Sequence, residues 1–211
     1  MTAILFYVHD PMCSWCWAFR PVWQEICERI PAEVETQRFL GGLAPDSDAP
    51  MPESMGAYLQ QTWRTIQQRV PGTEFNFEFW SRCNPRRSTY PACRAVIAAG
   101  RQDSAKSEPM ILAIQQAYYL DARNPSDTST LVELAQEMGL DAQRFAADLD
   151  SEDVRRLHVD DLVRGEGYGV QGYPSLLLDM SGQVQHIPYD YTDPTPSLNA
   201  VRRALQDGTG R

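Results

Sequence analysis

Missing from this 211-residue chain is any apolar run near the roughly 18 residues that a bilayer-spanning helix needs, so a membrane-embedded role is not expected. Basic residues are outnumbered, 19 Lys and Arg against 28 Asp and Glu, for a formal net charge of −9. A surface that acidic repels phosphate backbones and anionic lipid headgroups, which argues against nucleic-acid and membrane partners. Histidine is scarce, at three residues, and cysteine, at five, has an odd count that a fully paired secreted framework would not leave. The apolar run at residues 4–8 is too short for a signal-peptide core, with no basic residues ahead of it and no small-residue cleavage site behind it. The expectation is therefore a cytoplasmic protein. Repeats and low-complexity tracts are also lacking. What is present, 43% hydrophobic residues with dispersed charge, fits a folded globule of one domain or one domain carrying an insertion.

The rest of the chain is organised around Asp10-Pro11-Met12-Cys13-Ser14-Trp15-Cys16-Trp17, which follows the apolar run and opens a segment, 17–30, with apolar residues at helical spacing. Two cysteines three apart at a helix start are close enough to form a disulfide. Cys13 lies where unpaired N–H groups and the helix dipole favour a thiolate, the form that attacks disulfides, and Cys16, one turn deeper, is placed to resolve the mixed disulfide. Half a zinc site would look the same in isolation, but a tetrahedral zinc needs a second ligand pair, which this sequence does not offer. No metal is expected.

Residues 34–40 alternate as a second strand, so the chain begins strand, helix, strand, the unit of a parallel pair. Gly41-Gly42 and the Pro-rich tract at 45–52 break all periodicity. From 53 to 164 the pattern is helical, with candidates at 54–70, 91–99 stopping at Gly100, 109–120, 127–138 stopping at Gly139, a short helix capped by Asp141, and 151–163 closed by Arg164-Gly165. Strand pattern resumes at 175–179, Ser181-Gly182 turns, 183–187 alternates as an antiparallel partner, and 194–205 gives a closing helix with a frayed end beyond Gln206. The predicted architecture is an α/β domain formed by 1–44 and 165–211, interrupted by an all-helical insertion at 45–164.

That order, β-α-β then helices then β-β-α, with Cys-x-x-Cys after the first strand and Gly172-Tyr173-Pro174 before the third, resembles the thioredoxin fold. The long helical insertion resembles its DsbA-like branch, and residues 10–19 most resemble the cytoplasmic DsbA-family disulfide isomerases related to FrnE-like proteins. The resemblance covers nearly the whole chain. It implies that Pro174 is cis and faces the active-site cysteines, leaving the Tyr173 backbone to pair with an extended substrate strand. It also implies that the redox-active cysteine pair is the only active group, with no separate cofactor. DsbA itself carries Pro-His between its cysteines; here the dipeptide is Ser14-Trp15, with no His to donate to the thiolate, so a less oxidising pair is expected. Kappa-class glutathione transferases and hydroxychromene-carboxylate isomerases, which carry a related insertion, present a Ser where this chain has Cys13.

Around the cysteines, Trp15, Met12, Ser14 and Tyr173 are expected to contact substrate, with Trp15 exposed, while Trp17 and Phe19 enter the core. Arg86 and Arg87 read either as a glutathione or carboxylate contact or as surface ion pairs. Cys27 reads as a small buried apolar residue; Cys83 and Cys93 read as free thiols, with an 83–93 disulfide the alternative. His9, and with thinner support Glu25, are candidate proton partners of Cys16. The expected function is a thiol-disulfide oxidoreductase or isomerase acting on protein, peptide or small-thiol substrates, with glutathione a candidate co-substrate. A glutathione-dependent isomerase or transferase and a non-catalytic peptide-binding module are the alternatives.

Overall fold

The computed structural model describes residues 3–209. Strand β1 (Ala3–His9) leads through the turn at 10–13 into helix α1 (Ser14–Arg29) and strand β2 (Val34–Leu40). Strands β3 (Ser175–Met180) and β4 (Gln183–Ile187) and helix α9 (Thr195–Thr209) close the chain. The sheet runs β2-β1-β3-β4. Because α1 carries the chain back over the sheet, β1 and β2 pair in parallel, Ala3 opposite Val34 and His9 opposite Leu40. β3 lies antiparallel to β1 and β4 to β3, across the turn at Ser181 and Gly182, both at positive φ.

Both faces of β1 are covered, which is why it reads as a continuous apolar run. Leu5 and Tyr7 pack with Phe19, Trp23 and Ile26 of α1 and with Leu198 and Val201 of α9. Phe6 and Val8 face the other way, with Phe39 and Leu177.

Between β2 and β3 lie helices α2 (Glu53–Arg69), α3 (Phe79–Arg82), α4 (Tyr90–Gln102), α5 (Ser107–Tyr119), α6 (Thr128–Glu137), α7 (Ala142–Leu149) and α8 (Glu152–Gly167), with one 3-10 turn at Ser104–Lys106. The short α3 and the 3-10 turn have too few residues for a readable period. Gly139, at positive φ, ends α6 as expected, and the Asp141 carboxylate accepts the Arg144 N–H as the cap of α7. Two other expected stops fail. α4 continues through Gly100, where a side chain would overlap the Ser107 hydroxyl, so that glycine serves the close approach of α5. α8 continues through Gly165 to Gly167, with Gly165 packed near Val8 and Val170. The closing helix also keeps its form past Gln206 as far as Thr209; residues 210–211 lie outside the described part. Among the described residues no helix is long and apolar enough to cross a membrane.

The helical segment has its own core, centred on Trp63, whose ring stacks on Phe75 at 4.8 Å and meets Trp80, Tyr118 and Tyr119. The same core takes in Met12, Ala18 and Leu40, so the turn that carries the two cysteines is packed against the helices. Trp63 Nε1 donates to Ser14 Oγ at 3.2 Å, across a fully buried boundary. Trp63→Phe keeps an aromatic ring and removes that donor; with the lost volume, we expect a destabilisation of about 1–3 kcal/mol in urea unfolding. An unchanged midpoint would show that the Trp63–Ser14 bond contributes nothing net.

Candidate active site

Asp10, directly after β1, builds the turn that presents the cysteines. Its Oδ1 accepts the Met12 N–H at 2.7 Å, and its carbonyl accepts the Cys13 N–H at 3.0 Å. Its Oδ2 reaches out of the turn, accepting the Leu43 N–H at 2.8 Å and the Thr89 hydroxyl at 2.6 Å. Asp10 is fully buried, and burial raises its carboxyl pKa despite these bonds. Sequence reading overlooked both Asp10 and Thr89; the signal available was the carboxylate standing next to the turn proline, but its partners lie in distant segments.

Cys13 is the N-cap of α1, in extended conformation, and is 5% exposed. Its Sγ points to the Tyr173 carbonyl at 3.5 Å. The Tyr173–Pro174 peptide bond is cis, as the family resemblance implied. The Tyr173 carbonyl is thus engaged by the thiol rather than left open, while its N–H makes no backbone bond among the described residues. Cys16 lies one turn deeper at 0% exposure, and burial first, then the neighbouring Cys13, pushes its thiol pKa well up. Tyr7, buried beside Cys16, is raised for the same leading reason.

The other expected contacts are sorted differently. Met12 is buried in the helical core and Ser14 turns inward to Trp63, because the first turn of α1 sits against α2; neither forms a rim. Trp15 is half-buried rather than exposed, its ring 4.8 Å from that of Tyr191. Trp17 is half-buried too, donating from Nε1 to the Glu74 carbonyl at 3.1 Å, whereas Phe19 is in the core as expected. The Tyr173 hydroxyl accepts the Gly42 N–H at 3.0 Å, and its ring covers Gly41, leaving no room for a side chain there. Tyr189 and Tyr191, a pair not singled out in the sequence, complete the surroundings: the Tyr189 hydroxyl donates to the Pro174 carbonyl at 3.0 Å.

Arg86 is held by Asp127 at 2.7 Å and by the Ser126 carbonyl, the ion-pair alternative; Arg87 is half-buried with no hydrogen-bond or ion-pair partner among the described residues. Cys83 points to the Ala122 carbonyl at 3.1 Å and Cys93 to the Gly41 carbonyl at 3.3 Å, so the two thiols are engaged separately and unlinked. Cys27 is half-buried rather than fully buried. Glu25 lies on the surface, 3.5 Å from Arg29, away from the role of proton partner. His9 is 1% exposed and stacked on Tyr7 at 4.8 Å. Among the described residues no group of three His, Cys, Asp or Glu is arranged for a metal.

A mixed four-stranded sheet, a dithiol opening its first helix and a cis-proline loop against the outer thiol define the fold of DsbA-like disulfide oxidoreductases. The chain belongs to the thioredoxin family, whose model matches residues 6–185. Over 98% of its length it is similar to 99% of a "putative protein disulfide isomerase" from Nitrosomonas europaea, with 26% identity and a TM-score of 0.84. The cytosolic disulfide reductase DsbM from Pseudomonas aeruginosa shares the fold, with a TM-score of 0.73 and 24% identity over 98% of each chain; the structure of DsbM with GSH gives a TM-score of 0.72. The ClpXP adapter protein SpxH of Bacillus subtilis is 26% identical over 159 residues, covering 74% of this chain and 52% of that protein. The match thus spans about half the length of the curated relatives.

Asp10→Asn exchanges an accepting oxygen for a donor among three inward-pointing donors, and should cost about 1–3 kcal/mol in urea unfolding. The pH dependence has a definite sign. The folded carboxyl binds its proton more tightly than the unfolded one, whose value is near 3.8, so the linked stability is fully present below that value and lost as pH rises through the folded pKa. The advantage of wild type over Asp10→Asn should therefore shrink with rising pH from about 3.8 upward. A difference that is flat across that window would contradict the burial of an ionisable Asp10.

Proposed function

We propose that the protein is a cytoplasmic thiol-disulfide oxidoreductase in which the Cys13–Cys16 pair reduces or isomerises disulfides of protein, peptide or small-thiol substrates. The observation that carries this reading is the unequal placement of two thiols one turn apart. Cys13 caps the helix with its sulfur at the mouth of the Pro174 loop, and Cys16 is sealed behind it with its proton held. Cys13 as thiolate attacks a substrate disulfide: a Cys13–substrate S–S bond forms, the substrate bond breaks, and one substrate sulfur leaves with the electron pair. Cys16 then loses its proton and attacks Cys13, closing the Cys13–Cys16 disulfide and releasing the second substrate thiolate. Isomerisation follows if a substrate thiol resolves first. These steps require no metal or nucleotide.

Beside Pro174 lies a groove of ≈ 510 Å³, lined by Gly172, Tyr173, Ser175, His186 and Tyr189, which suits an extended peptide. The Trp15–Tyr191 pair offers an aromatic edge to such a substrate. Glutathione is the proposed small-thiol partner, in keeping with the structure of DsbM with GSH. With Arg86 committed to Asp127, Arg87 is the guanidinium left for a carboxylate. Cytosolic DsbM supports the cytoplasmic assignment and, with Ser14-Trp15 between the cysteines, the reducing direction.

Titrated against glutathione and read by alkylation and mass, the Cys13–Cys16 couple should have a potential near or below about −220 mV; a value near about −120 mV would make the protein an oxidant and overturn the direction. Cys16→Ser should accumulate a mixed disulfide at Cys13, and Cys13→Ser should form none. Glutathione-dependent turnover that survives Cys16→Ser would instead support an isomerase or transferase. The likeness to the ClpXP adapter SpxH favours a second reading, a peptide-binding module with idle thiols. That reading predicts partner binding unchanged in the Cys13→Ser/Cys16→Ser double variant.

A further inference from the structure

Resolution of the mixed disulfide requires the Cys16 proton to leave a residue with no exposed surface. Cys13 stands one turn before it, at the N-cap of α1. Cys16, but not Cys13, lines a small cavity of ≈ 10 Å³, about what one water needs, together with Tyr7, His9, Arg20, Arg38 and Gln115. A second pocket, of ≈ 380 Å³, adjoins it and reaches the surface past Gln37 and Ser104. His9, Trp23, Arg38 and Ile111 line both.

Of these four shared residues, only His9 carries in its neutral form one nitrogen that accepts a proton and one that gives a proton up; the arginine stays charged and the other two do not titrate. His9 is 1% exposed, and among the described residues neither Nδ1 nor Nε2 has a hydrogen-bond partner. A buried imidazole with two unmatched polar atoms is costly as a packing element. Lining both the inner cavity and the outer pocket puts the ring on the path from Cys16 to the surface.

We propose that His9 is the proton relay of the resolving step, passing the Cys16 proton from the inner cavity to the outer pocket and solvent. The inference rests on the dithiol reaction proposed above. As Cys16 attacks the Cys13 sulfur, its proton moves to a water in the inner cavity and on to one ring nitrogen; the other nitrogen gives up its own proton to the outer pocket. The Cys13–Cys16 bond forms, the Cys13–substrate bond breaks, and the electron pair leaves on the substrate sulfur. The imidazole ends neutral in the other tautomer and resets by a second exchange with solvent.

The surroundings keep the imidazole neutral, as the relay needs. Burial first, then Arg38 on β2 and Arg20 on α1, lower its pKa well below the ordinary value. Glu108 on α5 accepts from Arg20 at 2.9 Å and also pairs with Arg38, holding both guanidiniums at the cavity wall. Tyr7 stacks on His9 from the same strand, and Cys27 and Asp161 face the outer pocket from α1 and α8. His9 acts through the water and Cys16, so it is a positioning residue and not a nucleophile.

The test uses the full chain, reduced, with a single equivalent of the aromatic disulfide 5,5′-dithiobis(2-nitrobenzoate). Attack by Cys13 releases the first coloured thiolate, and resolution by Cys16 releases the second. His9→Gln should leave the first phase unchanged and slow the second by at least about tenfold at neutral pH, the low side of what a positioned acid-base group contributes. The deficit should close as pH rises and hydroxide takes the proton directly. The solvent deuterium isotope effect on the second phase should also change. A second phase with wild-type rate, pH profile and isotope effect in His9→Gln would overturn the relay. Should His9→Gln disturb the first phase, His9→Ala decides: added imidazole should restore its second phase, and failure to do so overturns the relay. If wild type shows no second phase at all, the dithiol reaction itself fails, an outcome distinct from failure of the relay.

Discussion

One buried carboxylate holds the cysteine-bearing turn to the rest of the molecule. The two oxygens of Asp10 gather the Met12 N–H from the turn, the Leu43 N–H from the loop after β2, and the hydroxyl of Thr89, the N-cap residue of α4. Thr89 Oγ1 in turn accepts the Ala44 N–H at 3.2 Å, so the same loop is tied twice. Three chain segments are therefore fixed to one another within a region closed to water. There hydrogen bonds are stronger, and leaving one unmatched is correspondingly expensive. The orientation of Cys13 at the helix start depends on this clamp, because its own N–H is bonded to the Asp10 carbonyl.

Much of the fold was legible because it is written in local patterns. β1 shows the continuous apolar run of a strand covered on both faces, β2 and β4 show alternation, and Asp141 and Gly139 carry cap chemistry at the expected helix ends. Gly100 and Gly165 misled because a glycine can end a helix or let another chain approach it closely. Only the packing of Ser107 and Val8 shows which applies. The cysteine pair and the proline at 174 stood out as motifs. The positions of Met12 and Ser14 did not, since whether the first turn of α1 faces solvent or α2 depends on how the long helical segment folds back. Asp10, Thr89, Tyr189 and Tyr191 were illegible for the same reason: their partners are distant in sequence, and no spacing rule reaches that far.

The two sides of the cysteine pair differ in kind. Toward Pro174 the neighbours are aromatic, with Trp15 against Tyr191 and Tyr189 bonded to the Pro174 carbonyl. Behind Cys16, two guanidiniums share one carboxylate, leaving local positive charge inside a protein whose formal net charge is −9. The long-range field and the local one can be opposed because screening attenuates the first over about 8–10 Å in salt, while the half-buried Arg20 and Arg38 lie against the small cavity that Cys16 also lines.

Burial of Cys13 itself constrains the proposed substrate. At 5% exposure, its sulfur is reached only by a chain that enters the mouth of the Pro174 loop and displaces the Sγ contact to the Tyr173 carbonyl. Once displaced, that carbonyl and the Tyr173 N–H, which makes no backbone bond among the described residues, become one residue's worth of strand edge, the pairing that an extended peptide can use. A disulfide inside a compact, folded protein cannot present its backbone in this way, whereas one in an unfolded or loop segment, or in a small thiol, can. Selection of accessible disulfides would then follow from the geometry of the mouth rather than from any dedicated recognition of side chains. The fixed Tyr173 ring, held over Gly41 and bonded to the Gly42 N–H, keeps that mouth in one shape.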